Sequence, residues 1–97
     1  MKKVEPIRPD KVDVLRAELY PIPDGVIEVI NNLIAQAWNG SGVVLMQEKV
    51  ITSIMGTLGV ERNAIFEGRW LDFESVYRKA GWKVEYDPYD ANWTFRK

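Results

Sequence analysis

Residues 82–95 read WKVEYDPYDANWTF, and their hydrophobic pattern differs from everything that precedes them. Trp82, Val84 and Tyr86 alternate with charged residues, and the alternation resumes after the loop letters PYDAN. A period of two residues is typical of strands with one buried face, and Pro, Asp and Asn favour turns. The sequence therefore predicts a β-hairpin, which must pack its apolar face on other elements because an isolated hairpin is marginal in water.

The stretch immediately before the hairpin, residues 70–81 (WLDFESVYRKAG), has the period of a helix. Asp72 is placed to cap this helix and Gly81 to end it. The apolar stripe of the predicted helix consists of Phe73, Val76, Tyr77 and Ala80. Residues 60–69 predict only a turn or short helix, capped by Asn63.

Further towards the N-terminus, two longer helical patterns flank a short β-favouring run at residues 43–46. The first pattern begins near Pro23 and ends near Asn39 and Gly40, and the second runs from Gln47 to a stop at Gly59. The apolar stripe of the first is Val26, Ile27, Ile30, Leu33, Ile34, Ala37 and Trp38. The apolar stripe of the second is Val50, Ile51, Ile54, Met55 and Leu58.

These elements predict an α+β fold in which three helices pack on a small antiparallel sheet made from the short strand and the C-terminal hairpin. We expect residues 22–97 to form a single domain, since 97 residues fit one domain. Residues 1–21 are expected to form an arm, because prolines interrupt them, although Val12, Leu15 and Leu19 suggest a short helix. The arm either folds over the domain or pairs with another subunit.

Composition limits the available chemistry. The chain has no cysteine and no histidine. Thiolate and imidazole nucleophiles, zinc sites of the usual ligands and disulfides are therefore excluded. A domain this small has little volume for an enclosed pocket beside its core. We expect no catalytic residue, no metal and no cofactor, and a non-enzymatic role; an enzyme built on carboxylates alone is the least favoured alternative.

The net charge is −1, and charges of both signs are mixed along the chain. This balance argues against a strong general attraction to nucleic acid, although a local basic patch can still bind it. No apolar run approaches the ~20 residues of a membrane span. The expected location is the cytoplasm, with no membrane partner.

The order helix, strand, helix, helix, hairpin resembles that of the winged-helix domain over residues 22–97. The strings IPDGVIEVINNLIAQAW (22–38) and IFEGRWLDFESVYRKAGWKVEYDPY (65–89) are also similar to small uncharacterised proteins of tailed bacteriophages. This second resemblance implies a phage origin, the cytoplasm of a bacterial host, and a small protein that acts by binding. It carries no known activity.

The winged-helix resemblance implies that the third helix and the hairpin are the elements that meet DNA. The basic candidates for phosphate contact are Arg62, Arg69, Arg78, Lys79 and Lys83. The third helix also carries Asp72 and Glu74, and the hairpin loop carries Asp87 and Asp90, and these acids would repel phosphate. A solvated surface is the simpler interpretation, so DNA binding is the alternative hypothesis.

Residues 22–97 carry ten aromatic side chains, which are many for one small core. Most are expected to be buried, but some must remain accessible, and exposed aromatics near an arginine are typical anchors of protein interfaces. The candidate interface residues are Trp70, Tyr89, Trp93 and Arg69. The leading hypothesis is a module that binds another protein, whose identity the sequence does not give, or binds itself.

Overall fold

The computed structural model describes residues 5–97, and these form an α+β fold. A 3-10 helix at Pro9–Lys11 leads into α1 at Val12–Leu19. The remaining elements in chain order are α2 (Asp24–Ala37), β1 (Gly42–Met46), α3 (Gln47–Leu58), α4 (Arg62–Glu67), α5 (Glu74–Lys79), β2 (Lys83–Asp87) and β3 (Asn92–Arg96). The predicted order is confirmed, with α4 as the short helix of the 60–69 segment, and it is winged-helix-like.

The three strands form one antiparallel sheet in the order β1-β3-β2, so the last strand of the chain lies in the middle. Leu45 pairs with Trp93, which in turn pairs with Tyr86. A second row across the sheet joins Val43, Phe95 and Val84, and all three are buried. The alternation in the hairpin sequence therefore marks the face that packs on the helices, as predicted.

The core lies between this face and helices α2 and α3, which pack against each other and against β1. The stripe of α2 differs from the prediction at two positions: Val29 is buried and Ala37 is exposed. Ala37 is the last residue of α2, where the helix runs past the core. Because Val29 and Val26 are one turn apart, both point at the core.

Aromatic rings occupy the middle of the core. Phe73 lies 4.7 Å from Trp93 and 6.1 Å from Phe95, measured between ring centroids. Tyr77 meets Phe95 edge to face at 5.4 Å. Such tilted and edge-to-face pairs add to the area that large rings bury. These four aromatic residues are the buried ones in the part of the chain described, fewer than predicted.

Two of the predicted helix ends are confirmed. Gly59 ends α3 with φ of 65°, and Gly81 follows α5 with φ of 103°, both in the left-handed region that glycine favours. The predicted caps Asn63 and Asp72 are wrong. Asn63 lies inside α4, whose N-cap is Glu61, and α5 begins only after Phe73, which leaves Asp72 in the preceding loop.

Helix α1 contacts the rest of the protein through polar side chains. Arg16 forms an ion pair with Asp72, and the guanidinium of Arg69 lies 4.4 Å from the ring centroid of Tyr20. Val12, Val14, Leu15 and Leu19 of α1 remain exposed, Leu15 at 40% and Leu19 at 61%. The short helix predicted within residues 1–21 is present; residues 1–4 of that predicted arm lie outside the described part.

The molecule is elongated. The principal extents are 51 × 31 × 25 Å, and the radius of gyration is 14.9 Å. A compact domain of this length has a radius of gyration of about 12 Å. Pro21 and Pro23 connect α1 to the body, and proline holds the preceding residue extended. The connection between α1 and α2 is therefore short and conformationally restricted.

Candidate functional site

The C-terminal end of α4 has an uncommon backbone. The amide of Trp70 donates to the carbonyl of Ile65, and the amide of Arg69 donates to the carbonyl of Phe66. This pair of bonds is the Schellman motif, in which the residue after the C-cap is left-handed and is usually glycine. Here that residue is Arg69, with φ of 54°. A non-glycine residue costs about 1–2 kcal/mol in this conformation.

The motif turns the chain beside an open groove of about 520 Å³ with a mixed apolar and polar lining, which we call the α4 groove. Buried Ile65 and Trp93 contribute to its lining, together with partly buried Leu71. The other side chains that line it are Gln47, Phe66, Arg69, Asp72, Glu74 and Tyr86. Its volume lies within the range of about 300–1,000 Å³ usual for ligand sites.

Hydrogen bonds fix several of these side chains. The hydroxyl of Tyr86 donates to Oε1 of Gln47 at 2.6 Å, which joins β2 to the start of α3. The indole Nε1 of Trp93 donates to Oε1 of Glu74 at 3.1 Å, which joins β3 to α5. The groove is therefore held open by elements that are tied together, and it presents a preformed surface of mixed apolar and polar character.

The four predicted interface residues differ in their exposure and in their position relative to the groove. Trp93 is only 2% exposed, so the expectation that it is available as a surface anchor is wrong: it lies on the helix-facing side of the middle strand, between Leu45 and Tyr86. Trp70 is partly buried and packs against the core. Tyr89 is 98% exposed at the hairpin loop, as predicted, but it does not line the groove. Arg69 does line the groove.

The basic candidates for phosphate contact are partly engaged within the protein. Arg62 donates to both carboxylate oxygens of Glu48, at 3.0 and 2.7 Å. This bond lowers the pKa of Glu48 and raises the pKa of Arg62, so the pair stays ionised. Arg78 donates to the carbonyl of Val84 at 3.0 Å. The guanidinium of Arg69 lies over the ring of Tyr20, and Lys79 and Lys83 take part in none of the described ion pairs, side-chain hydrogen bonds or cation–π contacts.

Two further clefts are less suited to a ligand. One of about 100 Å³ separates Arg16 and Tyr20 of the α1 region from α5. The other, of about 440 Å³, lies beside the edge-to-face pair of Trp38 and Trp82, and Lys97 lines it. The first is smaller than the range of about 300–1,000 Å³ usual for ligand sites, and the second has a mainly apolar lining with one charged side chain, Lys97. Within residues 5–97, no three acidic side chains gather closely enough to hold a metal ion.

Among the residues that line the groove, Arg69 and Trp93 are interface candidates predicted from the sequence, but the exposed Phe66 and Tyr86 are not. Phe66 follows buried Ile65 directly, so within α4 it must face another direction. The position of Phe66 directly after a buried residue is the signal in the sequence that its side chain points away from the core.

The longest helix has 14 residues, and no helix among the described residues has the length and apolarity needed to span a membrane. No family model, curated protein or solved structure matches the chain.

Proposed function

We propose that the protein is a non-enzymatic protein-binding module whose binding surface is the α4 groove. The observation that carries this proposal is Arg69, which occupies a strained left-handed position at the edge of the groove. Backbone strain of this kind concentrates at binding and catalytic sites. The groove also combines exposed aromatic side chains with an arginine, the combination typical of binding hot spots.

Binding of a protein fits this surface better than binding of DNA. Helix α5 has six residues and is therefore about 9 Å long, which is short for a helix that must follow the major groove. Asp72 and Glu74 lie at its start and would face phosphate. The ion pair of Arg62 with Glu48 further reduces the charge available to a nucleic acid. The apolar part of the α4 groove, in contrast, gains from burying apolar side chains of a partner.

The resemblance to proteins of tailed bacteriophages suggests which partners to test first. A phage-encoded module would meet phage and host proteins in the cytoplasm of a bacterium. An apolar or amphipathic segment with a positively charged residue fits the groove, because Asp72 and Glu74 lie on its rim. The proposed partner is accordingly a helix or peptide, since an open groove admits an extended or helical segment.

Site-specific crosslinking tests this function. A photoreactive phenylalanine analogue is introduced at Phe66 of the full chain, and proteins crosslinked in bacterial cells are identified by mass spectrometry. The matched control carries the analogue at Val44, which is 53% exposed on the other face of the sheet. We expect one defined protein to be crosslinked at Phe66 and none at Val44. The purified partner should then bind the wild-type chain at least about tenfold more tightly than it binds Phe66→Asp.

A negative result would count against the function in a specific way. If neither another protein nor a second copy crosslinks at Phe66, the α4 groove is not a protein-binding surface. Salt-dependent binding to duplex DNA, lost in Arg78→Ala combined with Lys79→Ala, would instead support the winged-helix alternative. We expect no such binding at low salt.

A further inference from the structure

Helix α1 and the α4 groove are complementary in chemistry, and in the folded chain they meet at the edge of the groove, where Arg16 pairs with Asp72. Leu15 and Leu19 are one turn apart and share one exposed face of α1 with Val12. The groove offers Ile65, Phe66 and Leu71 as apolar lining, and no residue of α1 is among those that line it. Two exposed apolar surfaces of one small protein thus lack a partner.

Charge on the two surfaces is also complementary. Arg16 and Glu18 flank the Leu15–Leu19 face of α1 on opposite sides. Each lies about 80° around the helix from the centre of that face, in opposite directions. The groove carries Asp72 and Glu74, which suit Arg16, and Arg69, which suits Glu18. The pair Arg16–Asp72 already forms within one chain, so these side chains are compatible in geometry and charge.

The connection between α1 and the body favours exchange between two copies. Pro21 and Pro23 restrict the short segment from Tyr20 to Asp24. In the folded chain α1 meets the groove at Asp72 and leaves Leu15 and Leu19 exposed, and short strained hinges promote exchange of an element between protomers. Reciprocal exchange would bury two helices in two grooves. The doubled contact then approaches the area of about 1,200–2,000 Å² that stable interfaces bury.

We infer that the occupant of the α4 groove is helix α1 of a second copy, so that two chains exchange α1 reciprocally and form a two-fold symmetric dimer. This inference rests on the proposed function, since it names the partner of the same groove. The contact places Leu15 and Leu19 against Phe66 and Leu71, with Arg16 beside the acidic rim.

Sedimentation equilibrium of the full chain provides the first test. We expect a reversible dimer whose dissociation constant rises by more than about thirtyfold in Leu15→Asp, and likewise in Phe66→Asp, because each buries a charge in place of an apolar side chain. The control Val44→Asp changes an exposed apolar residue of β1 and should alter the constant by less than about twofold. Circular dichroism checks that each variant is folded.

Disulfide trapping provides the second test, because the natural chain has no cysteine. In Leu15→Cys combined with Phe66→Cys, exchange predicts a covalent dimer on oxidation. Docking of α1 in its own groove predicts a crosslinked monomer instead. The control pairs Leu15→Cys with Val44→Cys and should remain uncrosslinked.

Several outcomes would overturn the inference. These are a wild-type chain that stays monomeric into the millimolar range, a dimer unaffected by Phe66→Asp, a crosslinked monomer, or no crosslink at all. The proposed function fails separately. If the chain is monomeric but a foreign protein crosslinks at Phe66, only the exchange is wrong; if nothing crosslinks at Phe66, both are wrong.

Discussion

Arg69 carries a conformational cost that a different residue would avoid. Its φ of 54° is accessible to glycine without penalty. We predict that Arg69→Gly is more stable than Arg69→Ala by about 1 kcal/mol, since both remove the side chain and only alanine keeps the left-handed strain. Urea unfolding measures the difference. Equal stability of the two variants would mean that Arg69 is not strained, and strain at Arg69 would then no longer support a binding role for the α4 groove.

Tyr77 is the residue whose protonation is most altered by folding. Its hydroxyl donates to Oδ1 of Asn31 at 2.7 Å, and burial raises its pKa to about 12. The folded state therefore holds this proton more tightly than the unfolded state, whose tyrosine has a pKa of 10.0. The stability from this residue is complete below about pH 10 and is lost as the pH rises towards 12.

The variant Tyr77→Phe isolates this contribution. Below pH 10 we predict a loss of about 0.5–1.5 kcal/mol, because the hydrogen bond to Asn31 is gone. Between about pH 10 and 12 the wild type should lose more stability than Tyr77→Phe, since phenylalanine does not titrate. Parallel stability curves for the two proteins in this range, measured by urea unfolding, would show that Tyr77 titrates normally.

At the scale of elements, two glycines give opposite predictions for the same substitution. Gly56 lies within α3, and a Cβ there would meet no atom within 4 Å. Gly68 follows α4, and a Cβ there would overlap the indole ring of Trp70. We predict that Gly56→Ala stabilises the protein by about 0.5–1 kcal/mol, whereas Gly68→Ala destabilises it by about 1–3 kcal/mol. Thermal unfolding tests both, and a stabilised Gly68→Ala would show that Trp70 moves freely.

The elements themselves were largely predictable, because their signals are local. The hairpin followed from its period of two, and the ends of α3 and α5 followed from Gly59 and Gly81. The start of α5 was not predictable from local sequence. Asp72 is a good capping residue, but its carboxylate is instead paired with Arg16, which is distant in sequence. The turn at Arg69 was equally hidden: arginine gives no local signal for a left-handed residue.

The candidate site was less predictable than the fold for the same reason. Sequence reasoning selected Arg69, which lines the groove, but it also selected Trp93, whose burial depends on β3 lying between β1 and β2. Strand order is a property of long-range pairing. Periodicity within one strand does not reveal it.

At the scale of the whole molecule, α1 is nearly independent of the core. Its described contacts to the body are one exposed ion pair and one cation–π contact, each worth about 0–1 kcal/mol. We therefore predict that removal of residues 1–20 lowers the free energy of unfolding by no more than about 2 kcal/mol, at dilutions where chains do not associate. Removal of residues 1–25 should cost more, because Ile22 packs against the core. Similar losses for both truncations would contradict this view.

The middle position of β3 also has a consequence for synthesis. Every other element described here is translated before β3, yet both β1 and β2 form their hydrogen bonds with β3. Val43 of β1, for example, cannot pair until Phe95 of β3 has been synthesised. A nascent chain that lacks residues 92–96 has helices but no sheet to pack on. Because long-range pairing closes slowly, the exposed apolar face of these helices is available to chaperones until β3 has left the ribosome.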